Sequence, residues 1–88
     1  MKNETTKFEI GDFVRLKTKI RRKDLPDFHK DKVKIWNETL DKLKKQHGLS
    51  FYEISEIINV NGNSAHPQAL VIGEKIQLSG IFFRKKIN

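Results

Sequence analysis

The chain predicts an α+β fold in which two helices pack on a small antiparallel sheet, in the order strand, helix, helix, strand, with a further strand at each end. Three observations predict it. Residues 37–48 carry an amphipathic pattern with both a start and a stop signal. Residues 50–58 carry a second such pattern behind a capping box, and short polar–apolar alternations at 33–35 and 75–78 bracket the pair.

The elements follow in chain order. Gly11-Asp12 reads as a turn, after which Val14, Leu16 and Ile20 alternate with Arg15, Lys17 and Lys19, describing a strand with one apolar and one basic face. The opening from Lys7 to Leu16 resembles the first strand of SH3-like small barrels. Arg21-Arg22-Lys23 leads into Asp24-Leu25-Pro26, where the proline ends any strand and leaves a connecting loop or a single helical turn. Val33-Lys34-Ile35 alternates as a short strand would, and Trp36 behind it reads as a core anchor against Leu40 and Ile76 in preference to a sugar-stacking ring.

The first helix is expected to start at Asn37, whose side-chain oxygen can accept from an orphan N–H, with Glu38 at the positive end of the helix dipole. Leu40 and Leu43 share one face, and Gly48 closes a basic last turn as a left-handed C-terminal residue. Ser50-x-x-Glu53 is a capping box, Leu49 is placed to staple Ile54, and Ile57 and Ile58 continue at helical spacing. A strand competes here on β propensity, but helical period separates polar from apolar residues better, so a second helix is expected. Asn59 to Ser64 is dense in turn formers, Pro67 interrupts regular structure, and Lys75-Ile76-Gln77-Leu78 alternates as the last core strand. Ile81, Phe83 and Ile87 alternate with Phe82, Arg84 and Lys86, giving a terminal strand expected to pair with the N-terminal one.

Thr39-Leu40, Leu43, His47-Gly48-Leu49-Ser50, Glu53-Ile54, Ile57, Asn59-Val60, Pro67 and Gly73-Glu74-Lys75-Ile76-Gln77-Leu78 together resemble, in matching order, the lysin motif (LysM) family. Asn37-Glu38 stands where that family usually has Gly-Asp, and His66 replaces the Asn of its Asn-Pro. The resemblance divides the chain into a basic extension over 1–32, a LysM-like domain over 33–78 and a basic C-terminal strand over 79–88. It implies a groove for N-acetylglucosamine-containing glycans such as peptidoglycan or chitin. Carried over by position, its walls are Asn37, Glu38, Thr39 and Leu40 on one side and Pro67, Gln68, Ala69, Leu70 and Val71 on the other.

Composition bounds the rest. Eighty-eight residues with 36% hydrophobic content make one small domain with a lean core, and with no cysteine there is neither a disulfide nor a thiolate metal site. The polar start Met1 to Thr6 has no apolar stretch behind it, so synthesis in the cytoplasm without a signal peptide and no membrane span are expected. His29, His47 and His66 lack metal-site spacing, and Glu38, Asp41, Glu53 and Glu56 lack a shielding pocket, so no metal, no cofactor and no catalysis are expected.

Three functions then order themselves. First, as the resemblance to small LysM proteins without signal peptides implies, stands a structural docking part of a phage tail, baseplate or similar injection assembly, partnered by its other proteins and carried in a virion or particle. Second is glycan binding, and third is nucleic-acid binding. For the third, 18 Lys and Arg against 11 Asp and Glu give a net charge of +7. Arg15, Lys17, Lys19, Arg21, Arg22, Lys23, Arg84, Lys85 and Lys86 would form one basic patch, with Phe82 among them, if the two end strands pair.

Overall fold

Alternating burial decides both ends of the chain. The computed structural model describes residues 7–60, 62 and 65–86. Val14 and Leu16 are buried while Phe13, Arg15 and Lys17 keep solvent contact, which builds β1 (Phe13–Leu16) with one face on the core. At the other end β5 (Phe83–Lys85) pairs antiparallel with β1, setting Arg15 against Arg84 and Leu16 against Phe83. The expected pairing of the end strands is therefore present. Ile87, the last residue read into that strand, lies outside the described residues.

Two 3-10 turns, Arg22–Asp24 and Asp27–Lys32, lead directly into α1 (Val33–His47). The helix begins four residues earlier than the cap read at Asn37, and Val33-Lys34-Ile35 is its first turn instead of a strand. An alternation of three residues cannot outweigh a helical stripe, and Val33, Trp36, Leu40, Leu43 and His47 continue one at the 3.6-residue period. Leu40 is the buried member of that stripe. Gly48 ends the helix at φ 75°, with its N–H donating to the Lys44 carbonyl at 2.8 Å, as read from its position.

Ser50 to Ile58 does not form the second helix. It is β2 (Tyr52–Asn59), paired with β1 on one side and β3 (Gln68–Ile72) on the other. A β-bulge explains the misreading. Ile54 lies opposite Ile72 and Ile57 opposite Leu70, so the partner strand advances two residues while β2 advances three. The extra residue gives a strand the i, i+3 spacing of a helix. Ser55, at the bulge, donates its hydroxyl to the Val71 carbonyl at 3.1 Å.

β3 then pairs with β4 (Ile76–Ser79), and a one-turn 3-10 segment, Gly80–Phe82, delivers the chain to β5. All pairings are antiparallel, in the order β4-β3-β2-β1-β5. The result is a small α+β domain with one helix and one five-stranded antiparallel sheet among the described residues, α1 lying in the chain between β1 and β2. The end strands are not additions to a separate core: β1 lies inside the sheet, and Phe8, Val14, Leu16, Phe82 and Phe83 share one cluster with Leu40, Ile54, Leu70 and Ile72.

Two carboxamides hold the inserted and leading segments to this frame. Asn37 Oδ1 accepts from the Ile20 N–H at 2.8 Å and its Nδ2 donates to the Ile20 carbonyl at 2.9 Å, as a neighbouring strand would. Gln68 does the same for Phe8, at 2.9 and 3.0 Å. Asn37 is thus a clip from mid-helix and not an N-cap. Asn37→Ala strips both partners from Ile20, so unfolding by urea should show a loss of about 1–3 kcal/mol.

Candidate functional site

The outward face of β1 and β5 gathers the strongest charge. Directly opposed residues of adjacent strands have Cβ atoms about 4.5–5.5 Å apart, so Arg15 and Arg84 form a like-charged cross-strand pair. Beside them stands Phe51, just before β2 and 43% exposed. The Arg15 guanidinium lies 5.5 Å from its ring centroid, and the Lys86 ammonium 5.4 Å from the same ring. Phe13 is 48% exposed, and its carbonyl accepts from the Lys86 N–H at 2.8 Å. Two open aromatic rings are therefore interleaved with three cations.

The cations divide into compensated and uncompensated ones. Lys17 lies 3.8 Å from Asp24 and Lys85 lies 3.3 Å from Asp12, so these two are largely spent on local ion pairs. Among the described residues no carboxylate pairs with Arg15, Arg84 or Lys86, and Arg15 Nε is buried without a hydrogen-bond partner. Glu53, opposite Phe13, borders the face with an acidic group. Lys19, Arg21, Arg22 and Lys23 are exposed along the stretch that follows β1. Of the basic residues read as one patch from the sequence, the β1–β5 pairing brings Arg15, Arg84 and Lys86 to one face, while Lys85 stands opposite buried Val14 and alternates away from them. Phe82 is not among them, being buried in the core.

Lys17 carries a record of this crowding. Burial lowers its pKa from the ordinary 10.5, with Asp24 opposing the shift and the Arg84 charge adding to it. A lysine with a depressed folded value is less protonated in the folded than in the unfolded chain over the window below 10.5. Its contribution to stability therefore rises with pH through that window and levels off above it. Urea unfolding at alkaline pH should show this rise in the wild type and a flatter profile in Lys17→Met.

The positions carried over to a glycan groove do not form one. Leu40 and Leu70 are fully buried in the core and Ala69 is buried beside them. The Asn37 and Gln68 side chains are committed to Ile20 and Phe8. Glu38 and Thr39 are exposed on α1, the Thr39 hydroxyl donating to the Ile35 carbonyl at 3.2 Å, while Pro67 is exposed just before β3 and Val71 is half-buried within it. The loop assigned to one wall of that groove, 68–71, is strand β3.

A separate cavity of about 320 Å³ is lined by His29, Trp36, Val60, Ala65, His66 and Gln68 to Ala69, with Gln77 to Ser79 from β4. Trp36 packs on the core as expected, but its ring neighbours are Phe82 at 5.4 Å and His29 at 5.7 Å. His66, which stands where the LysM family has the Asn of Asn-Pro, is 4% exposed and its Nδ1 accepts from the Gln68 N–H at 3.0 Å. Gly80 makes room for it, since a Cβ there would come within 2.7 Å of that ring. Asn61, Asn63 and Ser64, read as a long turn, lie outside the described residues.

Among the described residues no three His, Cys, Asp or Glu side chains come together as metal ligands would, and no helix is long and apolar enough to cross a membrane. Phe13 and Phe51 are the site residues that sequence reading missed. Phe13 was accessible, because Phe13-x-Arg15 shares the phase opposite to Val14 and Leu16. Phe51 was not, because its place beside Arg15 depends on residues 52–59 forming a strand. No family model matches the chain, and neither the curated proteins nor the solved structures include a match.

Proposed function

We propose that this chain is a non-catalytic nucleic-acid-binding module that uses the outward face of β1 and β5 to hold a phosphate backbone. One observation carries the proposal: Arg15 and Arg84 are set directly opposite each other, and no carboxylate among the described residues neutralises either. Such a pair costs the fold stability. A solvated basic surface spreads its charges and pairs them, as Lys17 and Lys85 do, whereas this one concentrates them beside two exposed aromatic rings. The net charge of +7 adds a long-range attraction for any polyanion.

Binding of this kind is dominated by release of condensed counterions and carries little base specificity. Fluorescence anisotropy of a labelled oligonucleotide over a salt series tests it. A plot of log affinity against log salt should fall with a slope of about −2, as expected for three phosphate contacts on a single strand. Binding that is absent at low salt would dismiss the proposal.

A second reading, docking in a phage-tail or other injection assembly, is favoured by the position of β4 at one end of the sheet. A strand from a neighbouring protein could add to that edge. Glycan binding of the LysM type draws less support, since its proposed walls include core residues.

A further inference from the structure

The two rings on the basic face distinguish among nucleic acids. Resting on the nucleic-acid reading, we infer that the preferred ligand is a single strand whose bases stack on Phe51 and Phe13. In a duplex each base has both faces covered by its neighbours, so an aromatic side chain on a sheet surface finds nothing to stack on. A single strand presents those faces, and stacking tolerates any sequence because every base has a π-face.

The geometry provides both halves of such a contact. Phe13 and Arg15, alternate residues of β1, project from one face about 7 Å apart. A ring and a phosphate-binding cation thus follow one another along the strand. Phe51 retains 43% exposure although two cations approach it. Both lie near the outer limit of about 6 Å for a cation–π contact, and Lys86 is an exposed lysine with a flexible stem. An incoming base takes the place of the Lys86 ammonium over the ring, and the ammonium turns to the adjoining phosphate. Arg15 stays beside the ring while the terminal N–H groups of its guanidinium meet the backbone. The like-charged Arg84 sits one strand away, so the backbone runs along the β1–β5 seam.

The test compares three polyanions at one salt concentration: a short oligothymidylate, a DNA duplex of equal length, and heparin. Phe51→Leu keeps apolar bulk and loses the ring; Phe51→Tyr keeps the ring. Circular dichroism confirms that each variant is folded, as half-exposed Phe51 allows. Phe51→Leu should lose about tenfold in affinity for the single strand, with heparin and duplex little changed and with Phe51→Tyr close to wild type. An equal loss for all three ligands overturns stacking, because the ring would then act only by placing Arg15 and Lys86. So does an unchanged single-strand affinity, although salt-sensitive binding of all three would leave the basic face standing. Failure of every polyanion to bind the wild type removes both inferences together.

Discussion

Replacing Arg15 and Arg84 together by glutamine is expected to weaken oligonucleotide binding by roughly a hundredfold, about tenfold for each guanidinium removed from the phosphate backbone. The same double variant should unfold no more easily than the wild type. Arg15 and Arg84 are directly opposed across adjacent strands, where relieving like-charge repulsion contributes about 0.2–1 kcal/mol in favour of the fold. Opposite signs make the pair diagnostic. A purely structural arginine pair would lose stability on replacement, and a solvated pair would change neither quantity. Anisotropy and urea unfolding on one preparation decide between them, and the salt slope of the variant should be shallower by about 1.4.

Leu40→Ala should cost about 2–5 kcal/mol, the loss expected for truncating a fully buried leucine. Leu40 is the one buried residue of α1, and it joins the helix to a cluster to which β1, β2, β3 and β5 contribute buried residues. Val33, Trp36 and Leu43 pack against the same cluster from half-buried positions, and polar ties are added by Asn37 to Ile20, the Lys44 ammonium to the Thr18 carbonyl at 2.9 Å, and the Tyr52 hydroxyl to the His47 carbonyl at 3.0 Å. The polar ties orient α1 but contribute less than a filled core site. Small domains have net stabilities of roughly 5–15 kcal/mol, so the alanine variant should be largely unfolded at modest urea. Leu43→Ala, at a half-buried position of the same stripe, should lose clearly less. Equal losses would mean that the helix is held by its polar ties.

Legibility tracks the length and purity of each periodic signal. Val14 and Leu16 against Phe13, Arg15 and Lys17 spell a half-buried strand, and the C-terminal alternation places Phe83 on the matching face, so the pairing that creates the basic surface was readable. Gly48 likewise marked the end of α1 correctly. The start of α1 was lost because Asn37 is a strong capping residue whose side chain instead serves a segment 17 positions away. No local rule carries that information. The greater loss was β2, where one bulged residue turned a two-residue period into a three-residue one and suggested a second helix. β3 was legible in principle: Ala69-Leu70-Val71-Ile72 is an apolar run bounded by Pro67 and Gly73, the signature of a strand buried on both faces. The LysM resemblance drew Ala69, Leu70 and Val71 into a groove wall.

The site followed the same pattern. Its cations were named from the sequence because both strands carrying them were read correctly. Its rings were not, because Phe51 reaches the face only through the strand that was misread, and Phe82 was assigned outward when the 3-10 turn at Gly80–Phe82 buries it. The conversion of one helix into a strand therefore counts against the LysM-type groove, and the function we propose moves from docking in an assembly, the first reading of the sequence, to binding at a charged sheet surface.

The most direct measurement is a titration of the isotope-labelled protein with a short oligothymidylate, followed by amide chemical shifts. Shifts concentrated at residues 13–15, 51–53 and 84–86, with the Trp36 and Gln77 side of the molecule silent, are the expected result. Shifts confined to the cavity at Trp36, His66 and Gln77, or none at all on the folded protein at low salt, would contradict a nucleic-acid-binding role for the β1–β5 face.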